Sequence, residues 1–443
     1  MPPARRPHYW LALALLLASA ATAADNHQAA LESITAAELR DHVVTLADDS
    51  FEGRLVGTRG GRAAGQYIAQ QLRPLNVAPA GSDGMFLECD DGGRSILVLW
   101  PGSDPELRDE VIVVGAHYDH VGDGRKGHAA GAVGVIYNGA DDNASGVAAL
   151  LELVEAVAEH RVDTRRSILF AFWDGEEMGM LGSKQWFKQP TVPSDKVRLA
   201  INIDMIGRLR DGRLEVLGTR TGYGLRRLLS GHVRDPLWLD FSWELKANSD
   251  HWPFVEHGIP IAMFHTGLHD DYHLPGDDAE KINVAGLETV SRYMLSTLVK
   301  IANSDWLPEY RATGRYETLA TQRRLQPKTT AGKTAFSSFP ASKDGSPPRL
   351  GIAWRTDDAE PGSVYVTHVA ADSPAAVAGI EIDDRIYAVN GEPFAGSQAF
   401  REAIVALLDT EDAEIELVVE SRGRLRTATI RWRPTALAAK SST

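Results

Sequence analysis

The chain has 443 residues, of which 44% are hydrophobic and 24% charged, and its formal net charge is −14. This is an ordinary globular composition, long enough for more than one domain, and its acidic balance argues against nucleic acid and anionic membranes as main partners. Because Cys89 is the single cysteine, an internal disulfide framework and a cysteine-rich metal site are excluded.

The first 24 residues predict a secretory signal peptide. Arg5 and Arg6 precede the apolar stretch YWLALALLLASA, and small residues follow at positions 18–24. The apolar part is too short for a convincing membrane span, and small residues of this kind are typical of a cleavage site. We therefore expect an exported protein, periplasmic or extracellular, with no stable membrane span after cleavage.

Residues 25–309 predict an α/β domain. Helical patterns alternate there with continuous apolar runs of strand length, as expected for a sheet covered on both faces. The strand-like runs are residues 96–100, 111–116, 168–173, 199–203 and 259–264. The fold class is therefore predicted as α/β, with a mixed, mostly parallel central sheet and helices on both faces.

The amino-acid composition changes after this domain. Residues 310–347 are polar, rich in Ser, Thr, Gly and Pro, and predict a linker. Residues 348–434 alternate short strands with two helical segments and predict a small α+β domain, followed by a tail at 435–443.

Polar residues stand where the predicted strands of the α/β domain end. Because ligands bind outside the carboxyl ends of strands in open α/β sheets, these side chains should meet in one site. They are His117, Asp119, Glu176, Glu177, Asp204 and His273, together with Asp141 in the loop before a helix.

The residue types in this set suit metal ions. Two imidazoles and three carboxylates, without thiolates, favour zinc or a similar divalent ion. Carboxylates converging without cations would raise one another's pKa strongly, whereas two divalent ions would balance three carboxylates and one hydroxide. Asp141 is predicted to bridge two ions about 3.5–4 Å apart, with Asp142 and Asn143 bracing its loop.

Six segments resemble the M28 family of zinc aminopeptidases, in the right order over about residues 35–305: HYDHVG, NGADDNASG, WDGEEMGMLGS, NIDMIG, SDHWPF and DYHLPGD. The segment FEGRLVGTRGGRAAGQYIAQQL matches as well. The resemblance implies two zinc ions, one held by His117, Asp141 and Asp204, the other by Glu177, Asp141 and His273. It further implies that Glu176 is the general base and that Asp119 orients the His117 imidazole.

For other polar residues near these motifs, the sequence gives weaker evidence of a role in the site. His120 and His128 are predicted as loop residues, and His265 and His269 as possible lining of the cleft; none is predicted as a ligand. Asp250 is expected to make structural hydrogen bonds near the site.

The C-terminal region resembles a PDZ domain of the kind attached to secreted bacterial proteases. RLGIAW, residues 349–354, matches the carboxylate-binding loop, and DSPAAVAGIEIDDRIYAVNGEPF, residues 372–394, matches the segment that follows. The resemblance implies that a C-terminal peptide tail can bind as an added strand beside the helix predicted at 397–408.

Together these features favour an exported dinuclear zinc aminopeptidase. It would remove N-terminal residues from peptides with a free N-terminus, by a metal-bound hydroxide and a Glu general base. Three alternatives remain open: a carboxypeptidase or other amide hydrolase, a single-zinc acyltransferase of the glutaminyl-cyclase type, and a non-catalytic PDZ binding protein.

Overall fold

The computed structural model describes residues 25–126, 128–325, 350–408 and 413–432. The predicted signal peptide, the part of the predicted linker from residue 326 and the predicted tail lie outside the described residues. The chain forms two compact units. Unit 1 comprises the residues up to Val216 and Lys246–Leu307, and unit 2 comprises Leu217–Leu245 and the residues from Pro308 onward.

In chain order the helices are α1 (residues 25–33), α2 (Ala36–Leu46), α3 (Arg59–Leu72), α4 (Gly146–Glu159), α5 (Leu181–Lys188), α6 (Leu225–Leu229), α7 (His251–Glu256), α8 (Val284–Ala302), α9 (Leu319–Leu325), α10 (Pro374–Val377) and α11 (Gly396–Leu408). Strands β1 to β9 are Ala78–Pro79, Phe86–Glu88, Arg94–Trp100, Val111–His117, Ser167–Trp173, Val197–Ile203, Arg213–Leu217, Trp238–Phe241 and Ile261–His265. Strands β10 to β15 are Ile352–Arg355, Val364–Val369, Arg385–Val389, Glu392–Pro393, Ala413–Ser421 and Arg424–Trp432.

The sheet of unit 1 has the strand order β1-β3-β5-β4-β6-β9-β7, with β2 paired to β3. Strand β4 is parallel to both β5 and β6, and β6 is parallel to β9, whereas β3 is antiparallel to β5. All seven residues of β4 and of β5 are buried, as expected for central strands covered on both faces. The predicted fold class is thus confirmed.

Helix α4 packs against the centre of this sheet. It contacts strands β4, β5 and β6 and helices α2, α3 and α8. Its apolar residues are almost all buried, which explains why the sequence shows a nearly continuous apolar run there. Because α4 begins at Gly146, directly after the turn Ala140–Ser145, its packing fixes the end of that turn. Among the described helices, none combines the length and hydropathy needed to cross a bilayer.

Unit 2 is built on a sheet of described strands in the order β10-β11-β12-β14-β15, with β13 on β12. All its pairings are antiparallel. Its core includes Leu350, Val364, Phe400, Ile415 and Ile430. The small α+β domain predicted at the C-terminus is therefore present.

The observed units correct the predicted domain boundaries in two places. Leu217–Leu245 was predicted inside the α/β domain but belongs to unit 2, where the Arg226 guanidinium donates to Glu420 at 2.8 and 3.1 Å. Residues 310–325 were predicted as linker but are folded, with the Arg311 guanidinium donating to Glu317 at 2.9 Å. Arg226 and Glu420 lie 194 residues apart, and Arg220, which donates to Glu317 at 3.2 Å, lies 97 residues from it. Ion pairs between residues so distant in sequence leave no local pattern.

Candidate metal centre

The strand register brings the predicted site residues to one edge of the sheet. His117, the last residue of β4, lies opposite Trp173, the last residue of β5, and the turn after β5 carries Glu176 and Glu177. Strand β6 runs parallel on the other side of β4 and is followed at once by Asp204. His273 comes from the loop that follows β9.

The carboxylate of Asp142 lies between two groups of side chains. Its Oδ1 is 3.4 Å from His117 Nε2, which is itself 3.5 Å from Asp204 Oδ1. Its Oδ2 is 3.1 Å from His273 Nε2, which is 3.2 Å from Glu177 Oε2. Donor atoms that share one tetrahedral zinc ion, with bonds of about 2.0–2.1 Å, lie about 3.3 Å apart. The histidine-to-carboxylate distances in both groups match this spacing, and Asp142 is common to both.

This arrangement corrects the predicted bridging residue, Asp141. The Asp141 carboxylate points away from both groups, and its Oδ1 accepts hydrogen bonds from Gly207 N at 2.6 Å and Ser145 Oγ at 3.0 Å. Its Oδ2 is 3.3 Å from His269 Nε2. Asp141 thus braces the loop, which is the role the sequence had suggested for Asp142. The two residues are adjacent in an irregular turn, Ala140–Ser145, so spacing alone could not tell them apart.

His120 is a second candidate nitrogen donor beside Glu177. Its Nδ1 lies 2.9 Å from Glu177 Oε1 and 3.8 Å from Asp142 Oδ2, and the three residues form a group of metal-ligand size. His273 is the better ligand, because its Nε2 approaches both carboxylates to within 3.2 Å. His120 Nδ1 instead hydrogen-bonds the Glu177 oxygen that His273 does not face, and so orients that carboxylate.

Asp119 supports the site in a different way from the predicted one. Its carboxylate accepts hydrogen bonds from the backbone N–H of Glu176 at 2.9 Å and of Glu177 at 3.2 Å. The nearest approach of that carboxylate to His117 Nδ1 is 3.7 Å, whereas the Asp119 carbonyl oxygen lies 3.2 Å from this nitrogen. Asp119 therefore orients His117 through its backbone and fixes the turn that carries the two glutamates.

Hydrogen bonds hold the remaining ligands in place. Asp277 Oδ2 accepts from the backbone N–H groups of Asp141 and Asp142 at 2.9 and 3.0 Å. Ser249 Oγ donates to Asp204 Oδ2 at 2.7 Å. Asn143 accepts from Met205 N at 3.1 Å and donates to Ile203 O at 2.8 Å, so it joins the turn to the end of β6, in the bracing role that the sequence had suggested.

Sequence reasoning assigned no role to Asp277 or to Ser249. Asp277 closes the DYHLPGD motif and Ser249 opens SDHWPF, so position within a motif was the available signal. Asp250 accepts a hydrogen bond from Ser183 Oγ at 2.5 Å, as its predicted structural role requires.

The electrostatics of the site show an excess of carboxylates. Desolvation raises the pKa of Glu176 well above its usual value, and the charges of Glu177, Asp250 and Asp204 add to the rise. Desolvation, with Asp119 and Asp204 nearby, raises the pKa of Asp250 to about 7. Burial alone would lower the pKa of His117, but its carboxylate partners raise it well above the usual value. The protein alone can relieve this charge only by binding protons, and divalent cations would relieve it directly. The donor set therefore fits zinc.

Residues 95–298 match peptidase family M28, and residues 365–421 match the PDZ domain family. The chain is 27% identical over 238 residues to leupeptin-inactivating enzyme 1 of Streptomyces exfoliatus, covering 54% of this chain and 49% of that protein. It is 24% identical over 306 residues to probable leucine aminopeptidase 2 of Aspergillus fumigatus, covering 58% of this chain and 57% of that protein. Among solved structures, LapA of Legionella pneumophila superposes with a TM-score of 0.52 at 18% identity, covering 63% of this chain and 76% of that chain.

The protein therefore contains a peptidase domain of the M28 family followed by a PDZ domain, as the sequence motifs implied. The likeness to LapA shows a shared fold for the peptidase domain. The chain spans about half the length of the curated relatives it matches.

Proposed function

We propose that this chain is a dinuclear zinc aminopeptidase that removes N-terminal residues from peptides. The observation that carries the proposal is the placement of Asp142, whose two oxygens face two separate groups of donor atoms. A carboxylate in this position is suited to bridging two ions about 3.5–4 Å apart. The names of the relatives, which include leucine aminopeptidases, support the reaction class.

Each group of side chains then has a defined part in the proposal. His117 and Asp204 would hold one ion and Glu177 and His273 the other, with Asp142 shared. Zinc ions at these positions would polarise the scissile carbonyl and activate water. Glu176 takes the proton from that water and returns it to the leaving amine, which requires a carboxylate next to the ions that is not itself a ligand.

The geometry favours this function over the alternatives that the sequence left open. A single-zinc acyltransferase needs one complete donor group, whereas two are assembled here around Asp142. A non-catalytic binding protein has no use for a carboxylate such as Glu176 beside them. A carboxypeptidase would share the same chemistry and differs only in which peptide end is recognised.

The test uses three substrates that separate these functions. Leucine p-nitroanilide carries a free amino group, its N-acetyl form lacks one, and an N-acetylated dipeptide offers only a free carboxylate. We expect hydrolysis of the first alone, loss of this activity with a chelator, and recovery with zinc or cobalt. Cleavage of the acetylated dipeptide instead, or full activity in metal-free protein, would overturn the proposal.

We also propose that the PDZ domain holds C-terminal peptide tails. In the described sheet, β10 is an edge strand that follows the loop Leu350-Gly351, so it can accept a peptide as an added strand. Tethering raises the local concentration of a long substrate but does nothing for a short one.

This second proposal is tested with matched long peptides. A long peptide with a free C-terminus should be cleaved with a higher kcat/KM than the same peptide with an amidated C-terminus. A short peptide should be cleaved with the same kcat/KM in both forms. Equal kcat/KM for the free and amidated long peptides would dismiss tail recruitment and leave the peptidase proposal untouched.

We propose further that the protein is exported, to the periplasm or the medium. The support is the sequence of residues 1–24, with its two arginines, apolar stretch and small residues. N-terminal sequencing of the protein from fractionated cells should find a start near Ala24 outside the cytoplasm. An intact N-terminus in the cytoplasmic fraction would contradict export.

A further inference from the structure

Arg54 is a fully buried arginine that lies behind the candidate metal centre. Its Nε donates a hydrogen bond to Tyr118 O at 2.8 Å, and its Nη2 donates to Gly139 O at 2.9 Å and to Asp142 O at 3.4 Å. Its Nη1 donates to Leu46 O at 2.8 Å and to Asn138 O at 2.5 Å. One planar group thus joins the end of helix α2, the end of strand β4 and the turn that carries Asp142.

All five of these hydrogen bonds end on backbone carbonyl oxygens, and none ends on a carboxylate. Other buried arginines of the chain pair with acids: Arg166 donates to Glu110 Oε2 at 2.7 Å and Arg385 to Asp357 Oδ2 at 2.6 Å. A buried guanidinium without a direct ion pair is costly, because neutral carbonyls compensate its lost hydration only in part. The role of Arg54 is therefore inferred from the chain segments whose carbonyl groups it binds.

Two of those carbonyls lie in the chain segments that carry candidate metal ligands. Tyr118 stands between His117 and Asp119, and Asp142 is the carboxylate shared by the two groups of donor atoms. His117 Nε2 and Asp142 Oδ1 approach to 3.4 Å although they come from segments more than twenty residues apart. The rigid fork of a guanidinium can hold two such segments at a fixed separation, which the single point charge of a lysine cannot do.

The backbone that presents Arg54 is itself constrained. Glu52, Gly53 and Arg54 have φ angles of 52°, 65° and 50°, a left-handed conformation that non-glycine residues seldom adopt. A Cβ on Gly53 would lie 2.4 Å from Gly122 O and 2.6 Å from Tyr137 O. Backbone strain of this kind is found mainly where the surrounding structure enforces it, often at functional sites.

We propose that Arg54 is a positioning residue that sets the separation of His117 and Asp142, and with it the geometry of the metal centre. It contacts no substrate and acts through the backbone of the ligand-bearing segments. The inference rests on the proposed metal centre, but its own signature is metal affinity and ligand geometry. Groups that orient metal ligands typically change affinity or activity by about 10–100-fold when removed.

The test compares Arg54→Lys with Arg166→Lys, a control that alters a buried arginine of the same unit away from the centre. Each purified protein is stripped of metal and titrated with cobalt, whose visible absorption reports ligand geometry. Zinc affinity is measured by competition with a chelator, and kcat and KM are measured on leucine p-nitroanilide.

For Arg54→Lys we expect a changed cobalt spectrum, zinc affinity weaker by about 10–100-fold, and a lower kcat at saturating zinc with little change in KM. Arg166→Lys should keep the wild-type spectrum and affinity. If Arg54→Lys does not fold, Arg54→Ala is purified with millimolar guanidinium, which should occupy the vacated space and restore the spectrum, whereas sodium chloride should not.

A wild-type cobalt spectrum and zinc affinity in folded Arg54→Lys would overturn the inference, as would an equal change in Arg166→Lys. For Arg54→Ala, equal spectra with guanidinium and with sodium chloride would do the same. These readouts do not depend on the reaction. If the wild-type protein binds metal but cleaves none of the substrates, the proposed function fails while the effect of Arg54 can still be measured.

Discussion

Buried carboxylates occur in both units, but they have different partners. In unit 2, Asp357 accepts hydrogen bonds from Arg220 and Arg385 at 2.6 Å each, and Glu317 accepts from Arg220 and Arg311. In the candidate metal centre of unit 1, Asp142, Glu177 and Asp204 face the imidazoles of His117 and His273, and among the described residues no arginine side chain pairs with them.

The pKa values follow this difference. Burial opposes ionisation of Asp357, but Arg385 and Arg220 outweigh it and hold its pKa well below the usual range. In the metal centre, desolvation and neighbouring carboxylates raise the pKa of Glu176 well above the usual value and that of Asp250 to about 7. Arginines neutralise Asp357 in unit 2, whereas the carboxylates of the candidate centre carry a charge that bound cations would offset.

The largest effect should come from the shared carboxylate. Asp142→Asn removes the charge that faces both donor groups, so we expect loss of both ions and of hydrolysis. Asp141→Asn changes only the bracing of the loop and should weaken zinc binding by about 10–100-fold while two ions still bind at saturation. Metal analysis and chelator competition on the two variants check this. The reverse order of effects would restore Asp141 as the bridge.

The next largest effect concerns the general base. Glu176→Gln keeps the size and removes the proton acceptor, so kcat should fall by about 10²–10⁴-fold with metal content unchanged. Steady-state kinetics and metal analysis of the same preparation provide the measurement. The exposed Glu280→Gln is the control and should behave as wild type. Wild-type kcat in Glu176→Gln would show that another group takes the proton.

A matched change in unit 2 should alter stability and not activity. Asp357→Asn leaves two buried guanidinium groups without their shared carboxylate, which should lower the free energy of unfolding of unit 2 by about 3–5 kcal/mol. Hydrogen exchange of peptides from unit 2 measures this, with metal content and kcat on short substrates unchanged. Asp305→Asn, which removes the exposed partner of Arg165, should have little effect. A loss of metal from Asp357→Asn would remove the distinction between the two clusters.

The smallest predicted effect is a pH dependence of the metal-free protein. The folded-state pKa values of Asp250 and Asp174 are raised by desolvation to about 7. Burial opposes a rise at His273, but Asp142 and Glu177 raise its pKa to about 10. Groups with raised folded-state pKa values stabilise the protein at lower pH, and this contribution is lost as pH rises through those values.

Metal-free protein should therefore unfold at a higher urea concentration at pH 7 than at pH 8.5. Asp357 contributes nothing to this difference, because its lowered pKa makes its stabilisation constant above about pH 5. Zinc should weaken or reverse the trend, since its ligands must be deprotonated. A metal-free protein that is more stable at pH 8.5 than at pH 7 would contradict the raised folded-state pKa values from which this trend is inferred.

Much of this organisation could be predicted from the sequence, because it has a local signature. The apolar runs of β4, β5 and β6 end at His117, Glu176–Glu177 and Asp204, and parallel strands necessarily bring those ends together. The choice between Asp141 and Asp142 could not be predicted, since it depends on the backbone angles of one irregular turn. The hydrogen bonds of Arg54 could not be predicted either, because their acceptors are backbone carbonyls that any sequence provides.

The division into units escaped prediction for a related reason. Residues 217–245 continue the α/β pattern along the chain, yet Arg220 and Arg226 find their acids at Asp357 and Glu420. Pairs separated by more than a hundred residues have no spacing rule. A single sequence therefore predicts elements and motifs better than the limits of the units they form.

A zinc titration of metal-free protein tests most directly whether Asp142 joins two metal ions in one catalytic centre. Activity on leucine p-nitroanilide and bound zinc are measured together as zinc is added. We expect two ions bound per wild-type chain, full activity only when both are present, and neither binding nor activity in Asp142→Asn. Full activity at one zinc per chain, or two tightly bound ions in Asp142→Asn, would contradict it.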